Sequence, residues 1–508
     1  MLQVAPLITE LQSLGLRLPR AGLRRQGGAG PAEGGTLLAA GRAFNVPTAS
    51  PFVTDSPFSL DDSGGELWVR RGGTRLLQVD LPPRPRFYHE RDQQGTPLRQ
   101  LALLHGADCL ATTVLQTCVY WPEPTRCRFC GIELSLRGGQ TTGRKTPEQL
   151  ARAALRAHEL DGVRHVVLTT GATREGREEL RLLADCARAI KRSAGLPVHA
   201  QFCPPREPGA MAALQDSGID AVGIHIESMD PAALKWVAPA KAAMGLKRFQ
   251  AAWQEAVEVF GPGQVESFLI AGLGESPESL ITGADMLAEL GVYPFVVPLR
   301  PIPGSLLQAD RPPSPEVMDR IYRGVARVLQ RRGLHSSQCA AGCVRCGACG
   351  ALWAYELEPA EMVCHRARTS GELARALAIR HQVFVREQGI VKRTDQDQED
   401  RRSIHLVAEH QGEIVGTVRV FQTREGRNQW VGGRLAVARE HRSSGAGQLL
   451  VRYAMLTVKR EGCTRFLATV QQKNVPFFQY IGWRKEGEPF DLHDWPHQLM
   501  VADLDRVE

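Results

Sequence analysis

The chain has 508 residues, of which 43% are apolar and 23% are charged, and its formal net charge is +7. This length predicts about two to four domains. The apolar content excludes a disordered chain, and the charge is too mild to indicate nucleic acid binding.

The sequence shows no feature of a membrane protein or of a secreted protein. No apolar run approaches the ~20 residues of a membrane span, and Met1 to Arg20 contains no apolar signal-peptide core. We therefore expect a cytoplasmic protein that does not bind a membrane. In that compartment the 12 cysteines are expected to be thiols or metal ligands rather than disulfides.

Residues 1–105 are an N-terminal accessory region to which we assign no chemistry. Within it, Glu66–Val69 and Arg75–Leu81 predict a small hairpin around Gly72 and Gly73.

From Leu110 onward, apolar strand-like runs alternate with helical stretches. One helix start is clear, because Thr146 is a candidate N-cap, Pro147 takes the first helical position and Gln149 completes a capping box. Six strand–helix units predict an α/β fold with a parallel sheet or an open barrel, and ligands bind such folds at the C-terminal strand ends. The predicted strands are Leu110–Gln116, Val166–Thr169, Val198–Cys203, Ala221–Ile226, Val265–Ala271 and Tyr293–Pro298.

Three cysteines, Cys118, Cys127 and Cys130, follow the first predicted strand. Three thiolates can bind three irons of a [4Fe–4S] cluster and leave the fourth iron open to another ligand. A zinc site would need a fourth protein ligand nearby, and the nearest histidine, His105, precedes the strand. A zinc site and three unrelated core thiols are the alternatives to the cluster.

The triplet resembles the cysteine motif of the radical SAM superfamily, in which it follows the first strand of a partial (β/α)6 barrel. Phe129 stands where the family usually has an aromatic residue, and the first gap has eight residues where the family commonly has three. The resemblance implies that Cys118, Cys127 and Cys130 hold a [4Fe–4S] cluster and that S-adenosylmethionine (SAM) chelates its fourth iron. Reductive cleavage of SAM would then give a 5′-deoxyadenosyl radical, with a flavodoxin- or ferredoxin-type protein as electron donor.

Further segments resemble SAM-binding parts of this superfamily. The Gly-rich segment around Gly171 corresponds to the part that receives the methionine amino group, and Glu227 corresponds to a polar residue near the ribose or methionine. The segment around Ile270 resembles the adenine-side motif of biotin synthase-like members, and Val297–Gly304 resembles their sixth-strand end. The resemblance thus implies a SAM site at Phe129, Gly171, Glu227 and Ile270. Lys241 could replace a family arginine near the SAM carboxylate, although we expect it to be a solvated lysine.

A second group of cysteines follows a predicted helix, Pro315 to about Arg332. Four thiols within eleven positions predict a metal site, and no barrel follows them that could make them the SAM site. Compact spacing with intervening glycines favours a second [4Fe–4S] cluster, while zinc is the alternative. These four cysteines are Cys339, Cys343, Cys346 and Cys349. The remaining cysteines are predicted to be ordinary buried thiols, namely Cys109, Cys186, Cys203, Cys364 and Cys463.

The C-terminal part begins a new α/β pattern after a predicted linker, Trp353–Met362. A strand, Gly433–Val437, leads through the Gly-rich loop Arg442–Gly447 into a predicted helix, Gln448–Lys459. Such a loop aims free backbone N–H groups at a pyrophosphate, helped by the helix N-terminus. Together with a later strand, Arg465–Val470, this order and spacing resemble the GNAT acyltransferases.

The GNAT resemblance extends to Arg380–Gln388, similar to the first helix of one subgroup, and to Asn474–Trp483. It implies binding of acetyl-CoA or another acyl-CoA. Phe478 takes the place of the tyrosine that often protonates the departing thiolate. Glu387 and Tyr480 are the catalytic candidates, with His405 and His497 as other possible bases. The acyl-CoA site implied by the resemblance consists of Leu435, Val437, Arg442, Gly445, Ala446, Gly447 and Asn474.

The sequence therefore predicts a bifunctional enzyme that modifies a small molecule by radical chemistry and also transfers an acyl group. It most resembles radical SAM proteins of nitrilase-associated bacterial gene clusters, where a GNAT protein is a usual neighbour. The alternative is a tRNA wobble uridine modification like that of the catalytic subunit of Elongator, but no dense basic stripe is present, so nucleic acid is not an expected partner. The predicted domains are the accessory region (1–105), the barrel (106–312), an extension with the four-cysteine site (313–358) and the GNAT domain (364–508).

Overall fold

The computed structural model describes residues 4–18, 34–39, 41–62, 66–356, 362–410, 412–424, 428–442, 445–492 and 495–506. The chain falls into two compact units, residues 1–358 and 359–508. Each unit has an apolar core of its own. Within the described residues, no helix has the length and apolar character that crossing a membrane would require.

The N-terminal unit contains the predicted strand–helix units together with the accessory region. Its strands are β1 (Gly35–Ala39), β2 (Arg42–Val46), β3 (Phe58–Asp61), β4 (Leu67–Arg71), β5 (Thr74–Val79), β6 (Leu103–His105), β7 (Cys109–Leu115), β8 (His165–Thr170), β9 (Val198–Gln201), β10 (Ala221–Gly223), β11 (Val265–Ala271) and β12 (Tyr293–Pro298). Its α-helices are α1 (Val4–Leu14), α2 (Leu98–Leu101), α3 (Leu134–Arg137), α4 (Pro147–Asp161), α5 (Arg177–Ala194), α6 (Ala210–Asp216), α7 (Pro231–Val237), α8 (Pro239–Met244), α9 (Leu246–Phe260), α10 (Pro277–Glu289), α11 (Pro315–Arg332), α12 (Cys343–Cys346) and α13 (Leu352–Glu356).

Strands β7 to β12 lie side by side in chain order and all run parallel. Strand β6 extends this sheet as the antiparallel partner of β7. All six predicted strands are present, although β9 ends at Gln201 and β10 at Gly223, earlier than expected. The sheet with its helices is the predicted partial (β/α)6 barrel, so the carboxyl ends of its strands meet at one edge.

Local signals in the sequence account for several of these elements. The hydroxyl of Thr146 accepts a hydrogen bond from the Gln149 amide at 3.3 Å, and the Gln149 side chain accepts one from the Thr146 amide at 3.0 Å. This is the predicted capping box, and it begins α4. The predicted hairpin is formed by β4 and β5, and the predicted helix after Ser314 is α11.

The predicted linker is wrong in its first part. Residues 353–356 belong to α13, and Trp353 and Tyr355 are buried in the core of the N-terminal unit. The Glu356 carboxylate accepts a hydrogen bond from the Ser336 amide at 2.9 Å. The segment folds with the barrel because its two large aromatic side chains bury apolar area there. The rest of the predicted linker, apart from Met362, lies outside the described residues.

The C-terminal unit is an α/β domain with a seven-stranded sheet. Its strands are β13 (Val363–Arg366), β14 (Ile404–His410), β15 (Glu413–Gln422), β16 (Gln429–Val437), β17 (Arg465–Gln471), β18 (Trp483–Leu492) and β19 (Trp495–Ala502), and its α-helices are α14 (Ser370–His381), α15 (Ala446–Arg460) and α16 (Val475–Tyr480).

The sheet order is β13-β14-β15-β16-β17-β19-β18, and β16 and β17 are its parallel pair. Their pairing ends at Gly432 and Ala468, although both strands continue. Beyond that point β16 pairs only with β15, and β17 pairs only with β19. The two central strands therefore separate and open a space in the middle of the sheet. This architecture is that of the GNAT acyltransferases.

Candidate functional site

Cys118, Cys127 and Cys130 line one cavity of about 180 Å³, which we call the cysteine cavity. The long gap between the first two cysteines is folded into a compact loop. Within it, Trp121 is buried, and the Arg126 guanidinium carbon lies 3.6 Å from its ring centroid. The loop thus absorbs the extra residues and still brings the three thiols to one cavity.

Gly171 fixes the start of this loop against the end of β8. A Cβ atom added at Gly171 would lie 1.9 Å from the carbonyl oxygen of Thr117 and 3.2 Å from the Cα of Cys118. The Val119 amide also donates to the Ala172 carbonyl at 2.8 Å. Only glycine allows this close backbone approach, so Gly171 sets the position of the first cysteine.

Glu227, which is buried, and Lys241, whose side chain is 14% exposed, form an ion pair in the lining of the cysteine cavity. The ammonium of Lys241 lies 2.5 Å from a carboxylate oxygen of Glu227 and donates to the His225 carbonyl at 2.7 Å. Glu227 is 5% exposed and has φ 76°, a backbone conformation that is rare outside glycine and is found at functional sites. The expectation of a solvated Lys241 is therefore wrong. Burial alone would lower the pKa of Lys241, but the negative charge of Glu227 raises it well above its ordinary value.

A larger space of about 310 Å³, the central cavity, adjoins the cysteine cavity inside the barrel. Phe129 and Glu227 line both cavities, Gly171 lines only the cysteine cavity, and Ile270 lines only the central cavity. The structure thus places all four residues of the predicted SAM site around two cavities that share lining residues.

Cys203, which the sequence suggested to be an ordinary thiol, lines the cysteine cavity together with the triplet. Burial raises the pKa of Cys130 to about 11 and that of Cys203 to about 11, so these groups are neutral thiols unless a metal takes the place of the proton. Three thiols around one cavity, with a buried ammonium beside them, fit an iron–sulfur cluster and an anionic ligand group. In the described residues, no three His, Cys, Asp or Glu side chains surround a position for a single metal ion.

The second cysteine group lies at the other end of the same barrel. The sulfur of Cys346 lies 3.3 Å from His105 Nδ1, and that of Cys349 lies 3.4 Å from His105 Nε2. Cys343 accepts a hydrogen bond from Gln201 at 3.1 Å. The thiol of Cys339 instead donates to the Ala341 carbonyl at 2.9 Å. Three of the four predicted ligands are thus gathered around a polar site, while Cys339 is bonded within its own turn.

In the C-terminal unit, the separated strands β16 and β17 enclose a cavity of about 290 Å³, which we call the C-terminal cavity. Leu435 and Asn474, both predicted to contact acyl-CoA, line it. His497 also lines it, is 6% exposed and shares a hydrogen bond of 2.7 Å between its Nδ1 and the Trp495 carbonyl. Because a carbonyl only accepts, Nδ1 carries the proton and Nε2 is left as an acceptor.

The remaining predicted acyl-CoA residues lie at the end of β16 and the start of α15. A Cβ added at Gly447 would lie 3.9 Å from Val437, so the strand end and the first helical turn are in contact. Gly445 is the N-cap of α15 and Ala446 its first residue, and among the described residues no side chain is found to cap the helix. The Arg442 side chain donates to the Val437 carbonyl at 3.2 Å. Residues 443–444 of the loop lie outside the described residues.

The two catalytic candidates do not reach the C-terminal cavity. Glu387 forms an ion pair with Arg442, whose hydrogen bond lowers the pKa of that carboxyl. Tyr480 is 79% exposed, whereas Phe478 is buried and lines the cavity. The structure therefore supports neither Glu387 nor Tyr480 as the acid or base, and His497 is the titratable candidate that lines the cavity.

Both halves of the chain match known enzyme families. Residues 124–287 match the radical SAM superfamily, and residues 373–483 match the acetyltransferase (GNAT) family. The first match includes Cys127 and Cys130 and begins after Cys118.

Individual relatives each match about a quarter of the chain. A candidate acetyltransferase of Bacillus subtilis (strain 168) is 31% identical over 138 residues, which are 26% of this chain and 91% of that protein. The bacteriochlorophyllide c C-7(1)-hydroxylase of Chlorobaculum limnaeum is 29% identical over 121 residues, which are 23% of this chain and 30% of that protein. The crystal structure of ElaA from Escherichia coli has 23% identity and a TM-score of 0.26, and the match covers 28% of this chain and 99% of that chain.

Proposed function

Because this chain carries a radical SAM domain at residues 124–287 and belongs to the GNAT acetyltransferase family through its C-terminal unit, we propose that it is a bifunctional enzyme. In this proposal the barrel cleaves SAM and modifies a small molecule, and the C-terminal unit transfers an acyl group from acyl-CoA to nitrogen. The observation that carries the first part is that Cys118, Cys127 and Cys130 line one cavity with Phe129, Gly171 and Glu227, and that Ile270 lines the cavity that shares Phe129 and Glu227 with it.

In the barrel, different side chains would hold the cluster and SAM. Cys118, Cys127 and Cys130 would hold the [4Fe–4S] cluster, which when bound supplies the electron for reductive cleavage of SAM. Lys241 offers a buried positive charge to the SAM carboxylate, and Glu227 offers its remaining lone pairs to hydroxyl or amino groups. A flavodoxin- or ferredoxin-type protein would supply the electron to the cluster.

The size of the central cavity favours a small-molecule substrate. A volume of about 310 Å³ lies at the low end of the range for metabolite-sized ligands. Its lining is largely apolar, and Arg300, which is 8% exposed, contributes a positive charge. A compact molecule with an apolar body suits this lining better than a nucleotide of a folded tRNA.

Anaerobic reconstitution of the full chain tests the radical SAM part. With dithionite and SAM, the chain is expected to release 5′-deoxyadenosine, and Cys127→Ala is expected to abolish this release. Cys186→Ala, which removes a fully buried thiol of α5 outside both cavities, is the matched control. Undiminished release by Cys127→Ala would refute the assignment. Addition of candidate metabolites and of tRNA would identify the substrate class, because the true substrate is expected to accelerate SAM cleavage.

The acyl-CoA part is supported by the opening between β16 and β17 and by the first turn of α15, which no side chain in the described part of the chain caps. The N–H groups of that turn can bind a pyrophosphate. The acyl arm would lie along β16 past Leu435, and Nε2 of His497 could accept the proton of the attacking amine. Isothermal calorimetry with acetyl-CoA on the full chain is the direct test. If no binding is detected, the C-terminal unit has the GNAT fold but does not bind acetyl-CoA.

A further inference from the structure

A cluster of five side chains lies inside the barrel at the end away from the cysteine cavity. We call it the barrel-floor cluster, and it consists of His105, Cys109, Cys343, Cys346 and Cys349. His105 and Cys109 are paired across the hairpin of β6 and β7. The three later cysteines come from the segment that follows α11.

Cys109 points into the barrel. Successive side chains of a strand alternate between faces, so Cys109, Ala111 and Thr113 of β7 share one face, and Thr113 lines the central cavity. Cys109 is 1% exposed, and Cys346 packs against it together with Ala111.

The segment that carries Cys343, Cys346 and Cys349, which we call the cysteine segment, packs closely against this end of the barrel. A Cβ at Gly106 would lie 2.7 Å from the sulfur of Cys346, and one at Gly342 would lie 2.5 Å from the His199 ring. The Val344 amide donates to the Glu266 carboxylate at 3.1 Å. Gly106 and Gly342 therefore permit a close approach that brings the thiols to β7.

The accessory region contacts the cysteine segment on its other side. The Asn45 amide donates to the Ala348 carbonyl at 2.7 Å, and Arg300 donates to the Asn45 carbonyl at 2.9 Å. The Asn45 side chain lies 3.8 Å from the sulfur of Cys349. The region that carried no predicted chemistry thus contacts the cysteine segment next to Cys349.

We propose that Cys109, Cys343, Cys346 and Cys349 hold a second iron–sulfur cluster at the floor of the barrel, and that Cys339 is a structural thiol. His105 lies against two of these sulfurs and would donate a hydrogen bond to the cluster rather than bind iron. Four thiolates are the usual ligand set of such clusters, and Cys109 supplies the fourth in place of Cys339. Cys349 and Cys130 both line the central cavity, so the second cluster would border the substrate space that the proposed function assigns to the barrel.

Metal analysis in a chain that lacks the first cluster tests this ligand set. The background is the full chain with Cys118, Cys127 and Cys130 replaced by Ala, reconstituted anaerobically with iron and sulfide. It is expected to hold about four irons per chain, and Cys109→Ala in this background is expected to hold less than about one. Cys339→Ala is expected to retain the iron, and Cys186→Ala is the control for loss of a buried thiol.

Each outcome of this experiment decides the assignment. Loss of iron in Cys339→Ala with retention in Cys109→Ala would overturn it, as would a background chain that holds zinc or no metal. Circular dichroism of each variant shows whether the chain is folded. If Cys109→Ala does not fold, electron paramagnetic resonance of Cys109→Ser decides, because a ligand exchange changes the g values and unchanged values would overturn the proposal. Since the first cluster is absent throughout, failure here leaves SAM cleavage by the unaltered chain unaffected.

Discussion

The position of the first cysteine depends on one backbone contact, that of Gly171 with Thr117. We predict that Gly171→Ala lowers both the iron content and the 5′-deoxyadenosine release of the reconstituted chain by about tenfold or more. The added methyl group cannot lie 1.9 Å from a carbonyl oxygen, so the loop that carries Cys118 must move, and overpacking of this kind costs ~1–3 kcal/mol or more.

Gly143→Ala is the control for this change. Its nearest neighbour would be a methyl group of Leu136 at 3.9 Å, an ordinary contact, and its backbone does not adopt a positive φ. If Gly171→Ala gave the same iron content and SAM cleavage as Gly143→Ala, the contact would have no role in placing the cysteine.

Residues that act through local spacing could be identified from the sequence, whereas residues that act through contacts across the fold could not. The cysteine triplet and Gly171 lie in short motifs, and the structure brings them to one cavity. Cys203 reaches the same cavity from a separate segment that no motif connects to it, and Lys241, a possible counterpart of a family arginine, was expected to be solvated. Cys109 is likewise recognised only beside Cys346, because their 237-residue separation in sequence hides the pairing. The roles of these residues depend on their burial in the fold, and the type of a residue does not reveal whether it is buried.

At the scale of elements, α14 and the segment after it are fixed to the sheet by buried ion pairs. Arg380 is 1% exposed and lies 2.6 Å from carboxylate oxygens of both Asp395 and Asp400. Arg419 of β15 contacts Asp400 at 2.8 Å and Asp397 at 2.6 Å. The sequence indicated Arg380 as part of a GNAT helix, but its partners became evident only from the fold.

We predict that Arg380→Leu destabilises the C-terminal unit by ~3–5 kcal/mol, because two carboxylates lose a buried counter-ion. Arg375→Leu on the same helix removes an exposed pair with Glu413 and is expected to cost at most ~1 kcal/mol. Thermal unfolding of both variants at neutral pH measures the difference. Equal losses would show that burial of the Arg380 pairs has no energetic consequence.

The same ion pairs predict how stability depends on pH. Burial alone would raise the pKa of Asp400, but hydrogen bonds from Arg380 and Arg419 hold it below its ordinary value of 3.8. A carboxyl whose pKa is lower in the folded state stabilises the fold above its unfolded pKa. The unfolding temperature of the C-terminal unit is therefore expected to fall once the pH drops below 3.8. This fall should be shallower in Arg380→Leu, because Asp400 has then lost its main partner.

The first turn of α15 allows stability and ligand binding to be separated. Gly445 has φ 85°, so any other residue there is strained, but Gly447 has an ordinary backbone, and a Cβ added there would make only ordinary contacts, with Phe477 at 3.8 Å and Val437 at 3.9 Å. We predict that Gly447→Asp keeps or raises the stability of the unit, since a negative charge favours a helix N-terminus. The same charge repels a pyrophosphate, so the affinity for acetyl-CoA should fall at least about tenfold.

Gly447→Asn is the neutral counterpart of this change and is expected to bind acetyl-CoA more tightly than Gly447→Asp. Calorimetry on the full chain measures both. Equal affinities for the two variants would place the pyrophosphate away from this turn.

Boundaries of elements were harder to predict than their existence. The six barrel strands follow from apolar runs bounded by polar or Gly-rich segments, and α4 follows from its capping box. The predicted linker failed at Trp353 because a short aromatic segment gives no periodic signal, and only its contact with the barrel core makes it a helix. The separation of β16 and β17 is also invisible in sequence, since it depends on which strands pair.

At the scale of the whole molecule, the two units have separate apolar cores, one within residues 1–358 and the other within residues 359–508. Domains with separate cores unfold as separate cooperative units. We predict that calorimetry of the full chain resolves two thermal transitions, the smaller of which belongs to the C-terminal unit.

Acetyl-CoA at about 100 times its Kd should stabilise the C-terminal unit by ~2.7 kcal/mol. For a unit of this size the gain corresponds to a rise of ~5–10 °C in the smaller transition, while the larger transition stays in place. In Gly447→Asp at the same ligand concentration, the smaller transition should rise by only a few degrees or less. A single transition that shifts as a whole with acetyl-CoA would show instead that the two units fold as one.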